Sequence, residues 1–176
     1  MAKKTKEQQN IDEMKVLEKL QEHGNESITL LSKRCGLSPQ KTRKIIKNLE
    51  KKKIILGYTA IVDEQKLGLQ KFVLLIKRSS AKLESDEVNK LASQRLANDI
   101  SELGITIESS YFVHSEYDWV LIFSAPELNE AKRLIGLILR KYPHMVSKYS
   151  IFQILLTMRS NHILNNDSLT KLRDFL

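Results

Sequence analysis

The spacing of apolar residues changes character once along this chain, near Lys53, and that change dictates a fold in two parts. Before it, apolar residues recur at helical spacing in short segments punctuated by glycine; after it, β-rich runs alternate with helical ones. Ile11, Met14, Leu17 and Leu20 mark a first helix, with Asn10 and Glu13 reading as a capping box and Gly24 as its stop. A second helix spans about residues 27–35, with Leu30 and Leu31 inward, and Gly36 ends it. Ser38 then serves as N-cap and Pro39 takes the first helical position, where its missing N–H is not needed. The third helix runs to about Lys52 on a stripe of Thr42, Ile45, Ile46 and Leu49.

Beyond it, residues 54–62 and 72–76 read as strands. Residues 85–103 read as a helix with Val88, Leu91, Leu96 and Ile100 apolar and Gly104 at its end. Residues 105–113 and 118–123 are strands around the polar turn His114-Ser115-Glu116. Pro126 opens a helix with Ala131, Leu134, Ile135 and Ile138 on its core face, Pro143 follows its end, and residues 148–157 form a last strand. The order β-α-β-β-α-β predicts an antiparallel four-stranded sheet with two helices on one face, the ferredoxin-like arrangement. The fold class is therefore α+β: a helix-turn-helix (winged-helix-like) domain followed by a ferredoxin-like domain. The expected divisions are a flexible basic arm at 1–10, the helix-turn-helix at 11–53, a linking strand at 54–66, the ferredoxin-like domain at 67–159 and a tail at 160–176, with a short helix through Leu169, Leu172 and Leu176.

Charge is distributed as unevenly as period. The chain of 176 residues has 29 Lys+Arg against 21 Asp+Glu, a net +8. Residues 1–60 carry a net +7 of this, and within residues 27–58 nine basic residues face a single acid, Glu50. An N-terminal part for a polyanion and a near-neutral remainder follow from that asymmetry. With 41% hydrophobic residues the chain can bury a core, and no apolar run nears the roughly 18–20 residues that span a bilayer. A single cysteine, Cys35, and a basic N-terminus that leads into a charged helix imply a cytoplasmic protein with no secretory leader and no membrane partner.

The stretch Leu30-Leu31-Ser32-Lys33-Arg34-Cys35-Gly36-Leu37-Ser38 describes two helices joined by a tight glycine turn, a helix-turn-helix. Small Ser32 permits close approach and Leu37 plugs the core between the helices. The apolar stripe of the third helix leaves Gln40, Lys41, Arg43, Lys44, Lys47 and Asn48 facing outward, with Ser38 and free backbone N–H groups at the N-terminal end. Cations there suit phosphates, and amide and guanidinium groups suit base edges. Double-stranded DNA is the expected partner, with Ser38, Gln40, Lys41, Arg43, Lys44, Lys47 and Asn48 as the contacting residues. The bland alternative is a three-helix bundle with a solvated lysine face.

At these residues the chain resembles a known family. Leu31-Ser32-Lys33-Arg34-Cys35-Gly36-Leu37-Ser38-Pro39, Ile46-Lys47-Asn48-Leu49-Glu50, Ile55-Leu56-Gly57-Tyr58-Thr59-Ala60 and Tyr117-Asp118-Trp119-Val120-Leu121 are similar to the Lrp/AsnC (feast/famine) transcription regulators, over about residues 11–159. The resemblance implies a helix-turn-helix that binds DNA, with residues 38–51 as the reading helix. It implies ferredoxin-like sheets that pair into dimers, assembling further into tetramers or octamers. It also implies an amino-acid effector near residues 114–118, with His114, Ser115 and Asp118 as candidates. Three departures stand out: Ser115 and Lys53 each replace a usual glycine, and the tail beyond Met158 is longer than common.

Competing classes leave weaker traces. A ligand-sensing oligomer with little role on DNA would use the same C-terminal part, and Ser115 argues against it. Siroheme decarboxylases also resemble this family, but their chemistry needs a histidine and clustered arginines, which are dispersed here. His23, His114, His144 and His162 lack paired ligand spacing, and no nucleotide loop or catalytic triad order is present, so no metal, cofactor or enzyme activity is expected. Asp118 is open to two readings, a turn carboxylate or a group that receives an amino-acid ammonium.

Overall fold

The computed structural model describes residues 6–80 and 100–175. They form two units: residues up to Ile61 pack with residues from Met158 onward, and Val62–Thr157 make the second.

The first unit is built on α1 (Lys6–Glu22), α2 (Ile28–Cys35) and α3 (Pro39–Lys51). Helix α1 starts ahead of the expected capping box, so Asn10 lies inside it and residues 6–10 are helical rather than a loose arm. Lys6, Glu7, Gln8 and Gln9 are good helix formers, and Glu7 complements the dipole of the first turn. Its inward face is also rotated from the one expected. Asp12 and Val16 are buried and Leu17 and Leu20 pack beside them, whereas Ile11 and Met14 are exposed. In α2 Leu31 is buried and Leu30 is exposed: the two lie about 100° apart around the helix, and the core-facing stripe is centred on Leu31, Ser32 and Cys35.

Turn chemistry behaves as the residues dictate. Ser27 and Ser38 accept from the N–H of Leu30 and Lys41, each cap being worth about 1 kcal/mol. Gly36 closes α2 at φ 66°, with Leu37 N–H on the Ser32 carbonyl and Gly36 N–H on that of Lys33. Helix α3 ends in the same motif, with Ile54 N–H on Leu49 and Lys53 N–H on Glu50, but Lys53 occupies the left-handed position at φ 55°. The core joins Val16, Leu31, Cys35, Ile45, Ile46 and Leu49. Burial pushes the Cys35 thiol above its usual range and makes it a packing residue rather than a nucleophile.

Residues 54–62, expected as a strand, contain no strand. Their composition favours extension, but a ladder needs a partner and none is present among the described residues. The unit is completed by a small hairpin, β5 (Arg159–Ser160) with β6 (Ile163–Leu164), turned at Asn161 with φ 50°, and by α5 (Asn166–Phe175).

The second unit opens on a 3-10 turn, Glu64–Leu67, capped by Asp63. The strands β1 (Gln70–Arg78), β2 (Thr106–Phe112), β3 (Trp119–Ala125) and β4 (Val146–Ile154) then form one antiparallel sheet in the order β2-β3-β1-β4. This is the strand order of the expected ferredoxin-like arrangement. Helix α4 (Leu128–Lys141) packs on one face. The helix expected over 85–103 lies largely outside the described residues; its end is seen at buried Ile100 and at Gly104, φ 65°.

Strand alternation divides the sheet into two faces. Phe72, Leu74, Ile76, Trp119, Leu121 and Phe123 point inward to Ala131, Leu134, Ile135 and Ile138 of α4, with Phe72 and Phe123 in register and their rings 5.5 Å apart. The opposite face carries Val73, Leu75, Val120, Ile122, Tyr111 and Phe152, with Tyr111 and Phe152 each 53% exposed. At one end of that face the Lys71 ammonium meets Glu64 at 2.6 Å and Glu108 at 2.9 Å. The register shift between Ile107 and Ser109 is the bulge that aims Glu108 there.

Candidate nucleic-acid interface

Helix α3 is amphipathic in the sense a groove-reading helix requires. Thr42, Ile45, Ile46 and Leu49 are buried, and Gln40, Arg43, Lys44 and Lys47, at i, i+3, i+4 and i+7, form one exposed face. None of these four is bonded to another side chain among the described residues. Ser38 sits exposed at the head of this face, its hydroxyl engaged in the cap.

Two of the residues expected to face outward are turned inward instead. Lys41 binds the buried carboxylate of Asp12, and Asn48 donates to Glu13 at 2.9 Å. Lys52 joins Glu13 at 3.1 Å. The acids of α1 thus clamp both ends of α3, which explains the rotation of the buried face of α1 toward Asp12. Sequence reasoning missed this clamp. Its only sequence signal was an adjacent acid pair in a strongly basic third of the chain.

Other contacts orient the remaining elements. The carboxylate of Glu26 takes Arg34 side-on, with Nε at 2.8 Å and Nη2 at 2.7 Å, and that bond holds Glu26 below the usual carboxylate range. Glu50, the one acid of the basic segment, accepts from the Tyr58 hydroxyl at 2.9 Å. The interface face of α3 is therefore cationic without an opposing carboxylate along its middle.

In the second unit the turn between β2 and β3 holds the other candidates. His114 and Ser115 are exposed. The Ser115 hydroxyl donates to the Tyr117 carbonyl at 2.9 Å and accepts from its N–H at 3.2 Å, so it shapes the turn. Asp118 accepts from the Arg78 N–H at 2.8 Å, the behaviour of a turn carboxylate. Around them Lys148 reaches Glu116 at 2.9 Å and lies over the Tyr117 ring, whose hydroxyl meets Ser150 at 2.7 Å. Lys148 holds Glu116 below the usual carboxylate range. Lys77, Lys148 and Ser150 were not singled out from sequence, because strand register alone brings them to the turn at Glu116 and Tyr117.

Among the described residues no group of three His, Cys, Asp or Glu could hold a metal ion. No helix among them is long and apolar enough to cross a membrane.

A capped helix pair with a tight glycine turn and a cationic outer face defines a helix-turn-helix DNA-binding protein. Residues 13–55 match the family model described as winged helix-turn-helix DNA-binding. The chain is 28% identical over 144 residues to the leucine-responsive regulatory protein of Haemophilus influenzae, covering 81% of this chain and 82% of that one. Its fold matches an AsnC family transcriptional regulator from Agrobacterium tumefaciens (TM-score 0.64, 19% identity, 89% of this chain and 96% of that one). It also matches a transcriptional regulator of Neisseria meningitidis solved with L-methionine (TM-score 0.63, 21% identity, 90% and 97%). The chain is thus a helix-turn-helix DNA-binding regulator, similar over most of its length to the Lrp/AsnC transcription regulators.

Proposed function

We propose that this regulator acts as a homodimer that lays the α3 helices of its two copies into successive major grooves of operator DNA. The observation that carries this is the exposed face of Gln40, Arg43, Lys44 and Lys47, with the α1 carboxylates engaged by Lys41 and Lys52 and Glu50, at the C-terminal end of the face, engaged by Tyr58. Arg43 and Gln40 have the donor geometry for base edges; Lys44, Lys47 and the Ser38 end of the helix suit phosphates. Lys41 and Asn48 act by setting the tilt of α3. A two-fold dimer favours a pseudo-palindromic site with half-sites about one helical turn apart. The protein then works on DNA in the cytoplasm as a regulator, not as an enzyme.

Dimerisation is supported by the outer sheet face. Val73, Leu75, Val120, Ile122, Tyr111 and Phe152 form an apolar patch with aromatic members, the composition of an interface core. Larger assemblies, tetramers or octamers, would build on that dimer. An amino-acid effector is supported by the shared fold with a regulator that binds L-methionine. The turn at residues 114–118 is its candidate location, with His114 and Ser115 exposed and Asp118 shaping the turn through Arg78.

The test is fluorescence anisotropy of the full chain with the DNA upstream of its own coding sequence and with a scrambled duplex, across a salt series. Tighter binding to the upstream duplex is expected, with a log–log salt slope of roughly −5 if six phosphates are contacted per dimer. Absence of binding to either duplex at low salt would overturn the reading.

A further inference from the structure

Nine cations lie within residues 27–58, and three of them meet carboxylates from outside that segment. The three pairs are not equally closed. The Asp12 side chain, which takes Lys41, is only 5% exposed, and Glu26 grips Arg34 through two nitrogens. Glu13 and Lys52 lie further out, with side chains 20% and 48% exposed. The Lys52 ammonium donates to both Glu13 oxygens, at 3.2 and 3.1 Å, and the Asn48 amide donates to one of them at 2.9 Å.

Lys44, Asn48 and Lys52 stand at i, i+4 and i+8, one row along α3. The row starts on the exposed cationic face at Lys44 and winds toward α1, with Lys52 next to the exposed Lys51. A flexible four-carbon stem lets an ammonium at that position turn either to α1 or to a phosphate flanking the helix. Here it turns to Glu13. A half-exposed ion pair contributes little to stability, so holding the fold together is a small part of what this acid does through Lys52.

We propose that Glu13 restrains DNA binding by keeping Lys52 off the phosphate backbone. Each α3 then meets one phosphate fewer than its sequence offers, and binding is weaker and less salt-dependent than the cation count implies. The inference rests on the proposed placement of α3 in the major groove. Phosphates carry no sequence information, so the restraint acts alike on the operator and on any other duplex. Its consequence is looser binding to all DNA rather than a change of preference.

Three variants test this: Glu13→Gln, Lys52→Met and the two together. Glutamine removes the charge but keeps a carbonyl oxygen to accept from Asn48. Anisotropy is read on the upstream and scrambled duplexes across a salt series. Glu13→Gln is expected to bind both duplexes severalfold more tightly at low salt, with a log–log slope steeper by about 1 per half-site. Lys52→Met is expected to keep the parent slope, and the double variant to match Lys52→Met. Weaker binding by Glu13→Gln with an unchanged slope would overturn the restraint and leave Glu13 as a support for α3. A shallower slope for Lys52→Met alone would place Lys52 on DNA already in the parent. Equal steepening with and without Lys52 would mean that Glu13 acts through diffuse repulsion and not through this lysine. If the parent binds neither duplex, the groove reading falls and this inference with it; if the parent binds and only the slopes disagree, this inference falls alone.

Discussion

Lys41, on the first turn of the reading helix, binds not solvent but the buried carboxylate of Asp12 in α1. One cation of the basic segment is thereby converted from a surface charge into a structural one. It holds the N-terminal half of α3 while Glu13 holds the other end through Asn48 and Lys52.

Replacing Lys41 with Ala removes the cation that meets the buried Asp12 carboxylate, which also accepts from the Gln8 amide at 3.3 Å. The expected loss of stability is about 3 kcal/mol, in the range for breaking a buried ion pair. Urea denaturation measures it, and a midpoint unchanged from the parent chain would show that Asp12 finds another partner. Lys47→Ala, on the exposed face, is expected to change stability by no more than about 0.5 kcal/mol.

Arg43 and Lys44 are neighbours with different expected tasks. Arg43→Ala should cost about 1–3 kcal/mol on the upstream duplex and little on scrambled DNA. Lys44→Ala should weaken both duplexes alike and reduce the salt slope by about 1 per half-site. Equal losses on both duplexes for both variants would refute this division.

Lys53 stands at φ 55° where the closing motif of α3 favours glycine, as Gly36 at φ 66° does after α2. Lys53→Gly should therefore stabilise the protein, by about 1 kcal/mol, since it removes the left-handed penalty of a residue with a Cβ. A lower thermal midpoint for the variant would mean that its added unfolded-state entropy outweighs the relieved strain.

The sheet unit should lose stability at alkaline pH through Lys71. Burial disfavours its ammonium, but the bonds to Glu64 and Glu108 outweigh that cost and leave its pKa above the ordinary lysine value. A raised folded pKa contributes stability that is fully present below the unfolded value of about 10.4 and is lost as pH rises through the folded value. Melting followed from pH 8 to 12 should fall more steeply for the parent than for Lys71→Met; parallel curves would count against the assignment.

On the outer sheet face Phe152 sits opposite Val73 and is half exposed. Phe152→Glu places a charge at the centre of the proposed dimer patch and should shift the protein toward monomer in sedimentation analysis, with far-UV circular dichroism unchanged. A dimer of unaltered stability would place the contact elsewhere.

Much of this was legible in the sequence because it rests on local rules. The Ser38 cap, Pro39 at the first turn, Gly36 and Gly104 at helix ends and the buried stripes Thr42-Ile45-Ile46-Leu49 and Ala131-Leu134-Ile135-Ile138 all follow from residue spacing and backbone sterics. The ferredoxin-like strand order followed from the succession of periods, since antiparallel pairing with short connections leaves few topologies. Other features were not legible, because they depend on partners distant in sequence. Asp12 is as polar as any surface acid until Lys41, 29 residues on, gives its charge a reason to be buried. Residues 54–62 have the composition of a strand but no neighbour to pair with among the described residues. Glu108 reaches Lys71 only because a bulge turns it there, and the tail from Met158 joins the first unit although the chain delivers it from the second. Spacing and capping act over a few residues and can be read along the chain; charge burial, strand pairing and the destination of a terminal segment are set by what tertiary structure brings alongside.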